Sequence, residues 1–277
     1  MLLALNIAFL AFDVFRIRRR VTLQNLERAF PEFPQRRRRK IARGAYINLA
    51  IVGMEMLQAR NLDPQQVISL VDLDADSEAL YHELIKMGKG VVFVGGHYGN
   101  WELMAARTAA VGYSSSVIVQ SQRNPLMDRD LTATRERLGF NIVGRGQAVR
   151  GMLKVLKEGG AAMILADQDA GMKDGLFVEF FGYPASTYQG PAIFSARSGA
   201  PMVGATIHRR RGTYHLRYER LDDRALAALP EDADEETLIR RLTGYYMKWL
   251  EQQIRRDPYQ YLWLHKRWKS RPEEDAA

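Results

Sequence analysis

Over the first fifteen positions, "MLLALNIAFLAFDVF", almost every side chain is apolar, and "RIRRR" follows directly. The run predicts a helix of about 22 Å, shorter than the ~30 Å hydrocarbon core of a bilayer. The charge follows the apolar run and no small-residue cleavage site is present, unlike a secretory signal. Three fates are open to it: a helix lying in a membrane interface, the remnant of a longer spanning helix, or an ordinary buried helix. Residues 16 to 60 keep a helical period. Ile41, Ala45, Leu49, Val52 and Met56 fall on one face, and "PEFPQ" separates two helices. From residue 78 helices and strands alternate. "SEALYHELIKMG" predicts a helix opened by Asp76 or Ser77 and closed near Gly88. The wholly apolar "VVFVG" reads as a strand buried in the middle of a sheet. A helix over 101–111, the strand "SSVIVQ", and a helix opened by Asn124-Pro125 and ended by Gly139 come next. The strand "FNIV", the helix "AVRGMLKVLKEGG" and the strand "AAMILA" follow, then a helix around 188–198. "PMVGATIHR" and "TYHLRYERL" form a hairpin across "RRG". A long helix over 234–256 places Leu238, Leu242, Tyr245 and Trp249 on one face.

This alternation predicts an α/β fold: a mixed, mostly parallel central sheet flanked by helices, with a helical N-terminal membrane-associated segment. The division it suggests is a helical appendage over 1–60 and an α/β domain over 61–277. The formal charge of +8 points to anionic partners: phospholipid headgroups, nucleic acid, a phosphorylated cofactor or an acidic protein. Solubility alone is the plainer explanation. The arginines after residue 15 suit anionic headgroups on a cytoplasmic membrane face. Arg36 to Lys40 oppose the dipole at a helix start, a conflict that an external anion relieves. There is no cysteine, hence no disulfide, thiol nucleophile or cysteine-ligated metal.

The chemistry concentrates in "VVFVGGHYGNWE". His97 falls in the loop at the carboxyl end of a central strand, where open α/β sheets place ligands. Gly95, Gly96 and Gly99 clear side chains so that a substrate can approach the backbone. Glu102 falls in the first turn of the next helix. A loop that curls back would let its carboxylate bond one ring nitrogen and leave the other free as a base. A satisfied structural histidine is the alternative, but the glycines, the strand end and the carboxylate favour catalysis. There is no G-x-S-x-G elbow and no phosphate-binding loop, and the five histidines lack metal-ligand spacing. A base without a protein nucleophile suggests direct attack of an activated hydroxyl on an acyl donor, with no cofactor.

"HYGNWE" resembles the H-x4-D/E motif of the glycerolipid-type acyltransferases, and is most similar to the form found in the bacterial lipid A late acyltransferases. "RRRVTLQNLERAFPE", "RNPLMDRDLTATRERLG", "DQDAGMKDGLFVEFFGYPASTYQGPAIFSARSGAPMV" and "PYQYLWLHKRWKSRP" resemble further blocks of that family in order, from about residue 16 to 272. The resemblance implies acyl transfer from acyl carrier protein, or coenzyme A, to a hydroxyl of a membrane glycolipid at the inner membrane. It implies His97 as the base, Glu102 as its partner, and Asp167 at the family's acidic position after the third strand. There Asp167 would orient a catalytic-loop residue or the acceptor, or be a buried structural aspartate. The family begins with a longer apolar helix than the one here, and many members carry arginine where this chain has Gln120.

Gly96, Asn100, Arg123, Arg129 and Asp167 are therefore the candidates for holding substrate or facing the oxyanion. Arg123, just before the Asn124-Pro125 helix start, is favoured over Arg129 inside that helix. Phe177, Phe180, Phe181 and Tyr183 read as core or as the lining of an acyl tunnel. Lys266, Arg267, Lys269 and Arg271 around Trp268 suit headgroup phosphates or an acidic carrier. Nucleic acid fits that composition but no nucleic-acid fold pattern accompanies it.

Overall fold

The computed structural model describes residues 2–110, 112, 114–119, 124–144, 146, 148–227, 229–230 and 232–272. Its centre is a seven-stranded sheet of β1 (Val71–Leu73), β2 (Val91–Gly95), β3 (Ser115–Val119), β4 (Phe140–Gly144), β5 (Ala161–Leu165), β8 (Met202–Arg210) and β9 (Thr213–Arg220), in the order β1-β9-β8-β2-β5-β3-β4. All neighbours are parallel except the β8–β9 hairpin. The expected mixed, mostly parallel sheet is thus present. β6 (Gly175–Phe180) and β7 (Tyr183–Tyr188) form a separate antiparallel pair.

On one face the sheet packs against α5 (Ala75–Met87) and α6 (Trp101–Ala110), with Phe93, Met163 and Ala205 facing Met104 and Ala105. On the other lie α8 (Ala148–Lys157), α10 (Gly190–Ser198) and α12 (Glu235–Arg256). α7 (Pro125–Arg137) links β3 to β4. Asn124 caps it by accepting from the Leu126 and Met127 N–H groups, as the cap-then-proline order predicts. The cap of α5 is Asp74, which accepts from Ser77 at 2.8 Å, so the helix begins ahead of the expected Asp76 or Ser77.

The N-terminal region folds as α1 (Leu2–Phe9), a π-helical turn (Leu10–Val14), α2 (Arg19–Ala29) and α3 (Gln35–Ala59). Ala8 and Phe12 join Ile41, Ala45 and Tyr46 in one apolar core with Leu242, Tyr246 and Leu250 of α12. The opposite side of α1 leaves Leu2, Leu3, Ile7 and Phe9 exposed, and Phe15 just past the π-helical turn is exposed too. No helix among the described residues is long and apolar enough to cross a membrane.

Sequence periodicity misses β1 and the β6–β7 pair. β1 has three residues, too few for alternation to show. The β6–β7 turn runs through Phe181 and Gly182 at φ of 54° and 76°, and a bulky aromatic at positive φ is no turn signal.

Candidate active site

β2 and β5 are adjacent and parallel, with Gly95 opposite Leu165. Two residues beyond that pair the strands release His97 and Asp167 side by side. Asp167 Oδ2 accepts the His97 backbone N–H at 2.9 Å, and Oδ1 meets His97 Nδ1 at 2.7 Å. The carboxylate therefore fixes both the loop and the ring, places a proton on Nδ1 and leaves Nε2 as the basic nitrogen. The Gln168 side-chain nitrogen stands 3.4 Å from Nε2, too far to hold it firmly. Asp167 is buried and His97 opens to the cavity with 20% of its side chain exposed.

Burial pushes the Asp167 carboxyl up, but the His97 charge, its two hydrogen bonds and the Arg267 cation outweigh this and hold the group below the usual carboxylate range. For His97, burial opposes the imidazolium, but the charge and hydrogen bond of Asp167, with a smaller contribution from Glu102, raise it above the ordinary histidine value.

Glu102 is not hydrogen-bonded to this ring, contrary to the pairing expected from the five-residue spacing. Its oxygens are held by Arg135 of α7, Nε at 3.1 Å and Nη2 at 2.7 Å. α6 begins at Trp101, whose indole stands edge-on to the imidazole at 5.0 Å, so the first helical turn brings an aromatic rather than the carboxylate against His97. Asp167 on the neighbouring strand takes the Nδ1 position.

Asn100 is buried and caps α6, its Oδ1 accepting the N–H groups of Glu102 at 3.1 Å and Leu103 at 3.0 Å. Its Nδ2 donates to Glu55 of α3 at 2.8 Å. Glu55 also accepts from the Tyr214 hydroxyl and faces Arg209. Asn48 of α3 donates to the Gly99 carbonyl at 3.0 Å. Gly99 has φ of 59°, and a Cβ there would lie 1.9 Å from the Ile207 carbonyl oxygen, so the motif requires glycine. At Gly96 a Cβ would meet Leu250 at 2.9 Å and approach Asp167. Its small size therefore serves packing under the loop.

The C-terminal segment closes the loop from the other side: Leu262 N–H donates to the His97 carbonyl at 3.0 Å, and Tyr261 pairs with Tyr98 as an isolated bridge. Arg267, expected to meet headgroups or a carrier, is buried and donates to the Ser186 carbonyl and the Thr187 hydroxyl. Lys266, Lys269 and Arg271 remain exposed. Arg129 is exposed on α7 and does not line the cavity. Arg123 and Gln120 lie outside the described residues. Arg135, which sequence reasoning passed over, does line it; nothing in "RERLG" distinguishes that arginine from its neighbours.

His97, Trp101, Glu102, Arg135 and Gln168 border a cavity of about 570 Å³ whose walls are mainly apolar, with Phe93, Met104, Met163, Ile164 and Ile193 among them. Phe177, Phe180, Phe181 and Tyr183 do not line it; Phe180 and Phe181 are core residues beside Trp268 and Trp263.

A basic imidazole nitrogen at the mouth of an apolar cavity suits deprotonation of a hydroxyl beside a lipid chain. The family described as "Bacterial lipid A biosynthesis acyltransferase" matches residues 2–270. The chain belongs to this family. It is accordingly an acyltransferase. It is 28% identical to the lipid A biosynthesis palmitoleoyltransferase of Escherichia coli K12 over 276 residues, covering 99% of this chain and 86% of that protein. It is 28% identical to the lipid A biosynthesis lauroyltransferase of the same organism, over 95% of this chain and 83% of that one. For the myristoyltransferase the identity is 24%, over 91% and 76%.

Proposed function

We propose that this acyltransferase moves a fatty acyl chain from an acyl thioester, carried on acyl carrier protein or coenzyme A, to a hydroxyl of a lipid A precursor. The observation that carries the reading is the His97–Asp167 pair, with Nε2, approached only loosely by Gln168, at the mouth of the apolar cavity. Nε2 takes the proton of the acceptor hydroxyl as its oxygen attacks the thioester carbon. A carbon–oxygen bond forms, the carbon–sulfur bond of the tetrahedral intermediate then breaks, and the imidazolium returns the proton to the leaving thiolate. Asp167 keeps the proton on Nδ1 and stabilises the transient imidazolium, while Glu102 adds its charge through space. Arg135 lines the cavity with Nε and Nη2 bound to Glu102, and its other N–H groups are offered to the oxyanion.

The enzyme works at the cytoplasmic face of the inner membrane. The exposed apolar side of α1 enters the interface, and Arg16, Arg18, Arg36, Arg37 and Arg39, all exposed, meet anionic headgroups. An acidic carrier protein and a glycolipid acceptor are the partners of such a surface; nucleic acid is not among them.

The test is transfer of labelled acyl chains from a thioester to a panel of lipid A precursors, other glycolipids and lysophospholipids. Wild type should acylate the lipid A precursor, and His97→Ala should lower turnover by roughly 10²–10⁴ at unchanged folding. If His97→Ala retained half of wild-type turnover, the base would lie elsewhere. Transfer only to lysophospholipids would refute the acceptor.

A further inference from the structure

The segment "PYQYLWLHKRWKSRP" reads as a group of cations, yet its backbone and one of its uncharged side chains hold both halves of the pair at the cavity mouth. The register of β2 against β5 ends at Gly95 and Leu165, with one further bond from the Ala166 N–H to the Gly95 carbonyl. Beyond it the C-terminal segment takes over. On the side of the base, Leu262 N–H donates to the His97 carbonyl at 3.0 Å. On the side of the acid, two residues past Asp167, the Asp169 backbone N–H donates to His265 Nε2 at 3.0 Å. The Asp169 carboxylate accepts the Ser270 N–H at 3.1 Å and the Ser270 hydroxyl at 3.0 Å.

The segment is itself anchored from behind. Asn25 of α2 donates to the carbonyls of Trp263 at 2.8 Å and His265 at 2.7 Å. The Trp263 indole N–H donates to the Pro258 carbonyl at 2.8 Å, and Trp263 and Arg267 are buried. His265 therefore reaches forward to Asp169 from a fixed backbone. Its bond also settles its proton. Nε2 accepts an N–H, so its lone pair is free and the ring proton sits on Nδ1. Burial, with the charges of Arg267 and His97, keeps His265 below the ordinary histidine value against the pull of Asp167 and Asp169. His97 stands above that value, so wherever His97 is a neutral base His265 is neutral too.

We infer that His265 is a positioning residue for the reaction: its Nε2 pins the Asp169 backbone N–H and, with Ser270, keeps the Asp167 carboxylate in register with the His97 ring. Asp167 bonds both the N–H and the ring of His97, and such a two-point contact tolerates little displacement of its backbone. No cation in the segment can take this role, because lysine and arginine have no lone pair to offer an N–H. The inference rests on the reading of His97 and Asp167 as base and orienting acid, and adds what holds the acid in place.

The experiment measures kcat, thioester KM and the pH dependence of kcat/KM on the intact enzyme, with urea unfolding alongside. His265→Phe keeps a flat ring and removes the acceptor. It should lower kcat about tenfold, within the roughly 10²-fold that a 1 Å misplacement can cost, and leave the thioester KM within about twofold. Its acid limb should move to lower pH, the same direction as for Asp167→Asn, because a displaced Asp167 supports the imidazolium less. His265→Gln carries an amide oxygen that can accept from Asp169, and should restore most of kcat and return the limb toward wild type. Ser270→Ala should move both quantities the same way by a smaller amount, and serves as the test if His265→Phe does not fold. A His265→Phe enzyme that is less stable in urea but keeps wild-type kcat and acid limb would overturn the inference. So would His265→Gln as impaired as His265→Phe, or a folded Ser270→Ala that matches wild type when His265→Phe does not fold. If Asp167→Asn itself leaves the limb in place, the reading of the pair fails. If Asp167→Asn moves the limb and His265→Phe does not, only the role of His265 falls.

Discussion

Two acid–base pairs stand at the same cavity and are built in different ways. His97 and Asp167 come from the ends of adjacent parallel strands, and Asp167 holds both a backbone N–H and a ring nitrogen. Glu102 and Arg135 come from two helices that meet over the cavity and form a two-point pair with side-chain exposures of 15% and 18%. The first arrangement leaves a basic nitrogen facing the cavity; the second pairs two charges with each other. A strand-end pair thus presents a reactive atom, whereas the helix-to-helix pair supplies a rigid, charged wall.

The sharpest way to break this contrast is to neutralise each acid in turn. Asp167→Asn should lower kcat by roughly 10²–10⁴, because the ring loses its orienting acceptor and its tautomer. Glu102→Gln should lower it by about tenfold or less, since its influence on His97 is through space. Equal losses, or the reverse order, would return Glu102 to the position that the motif spacing suggested.

The second pair is expected to matter more for folding. Glu102→Ala leaves the Arg135 guanidinium half-buried without its acceptor and should cost about 1–3 kcal/mol in urea unfolding. Replacing both residues with leucine should return much of that loss. A double variant as unstable as the sum of the singles would mean that the two side chains act independently.

A smaller effect is expected behind the loop. Glu55→Ala frees Asn100 from α3 and should reduce kcat several-fold with little change in donor KM, and Glu55→Gln should restore most of it. The smallest effect on chemistry belongs to α1. Ile7→Ser with Phe15→Ser alters the exposed side only, and should reduce partition into anionic vesicles while the packed side, Ala4, Ala8 and Phe12, stays intact. Deleting the whole segment would instead open the core around Tyr46.

The α/β alternation, most strands and the helix limits at Asn124, Gly88 and Gly139 could be read from the sequence because caps, glycines and apolar runs act locally. So could the place of His97 at a strand end, but not the reason for Gly99, which reads in the sequence as admitting substrate and instead meets the Ile207 carbonyl at positive φ. Which strands lie side by side could not, and that adjacency brings Asp167, seventy residues on, against the ring. The same limit hid Arg135, whose partner Glu102 lies on another helix, and Glu55, whose partners are Asn100 in the loop and Arg209 and Tyr214 on the sheet. It also made Arg267 look like a surface cation: its neighbours Lys266 and Lys269 are exposed, and only the turn of the C-terminal segment puts Arg267 beneath the β6–β7 hairpin.

The central assignment, His97 as a base governed by Asp167, is tested most directly by the pH dependence of kcat/KM. The active form is the neutral imidazole, so activity falls as pH drops through the His97 pKa. Because Asp167 and Glu102 raise that value, the wild-type acid limb should lie above the ordinary histidine value of about 6.5. Residual activity of Asp167→Asn should show the limb moved to lower pH, and Glu102→Gln should move it less. An acid limb at or below the ordinary value that Asp167→Asn leaves in place would contradict the assignment.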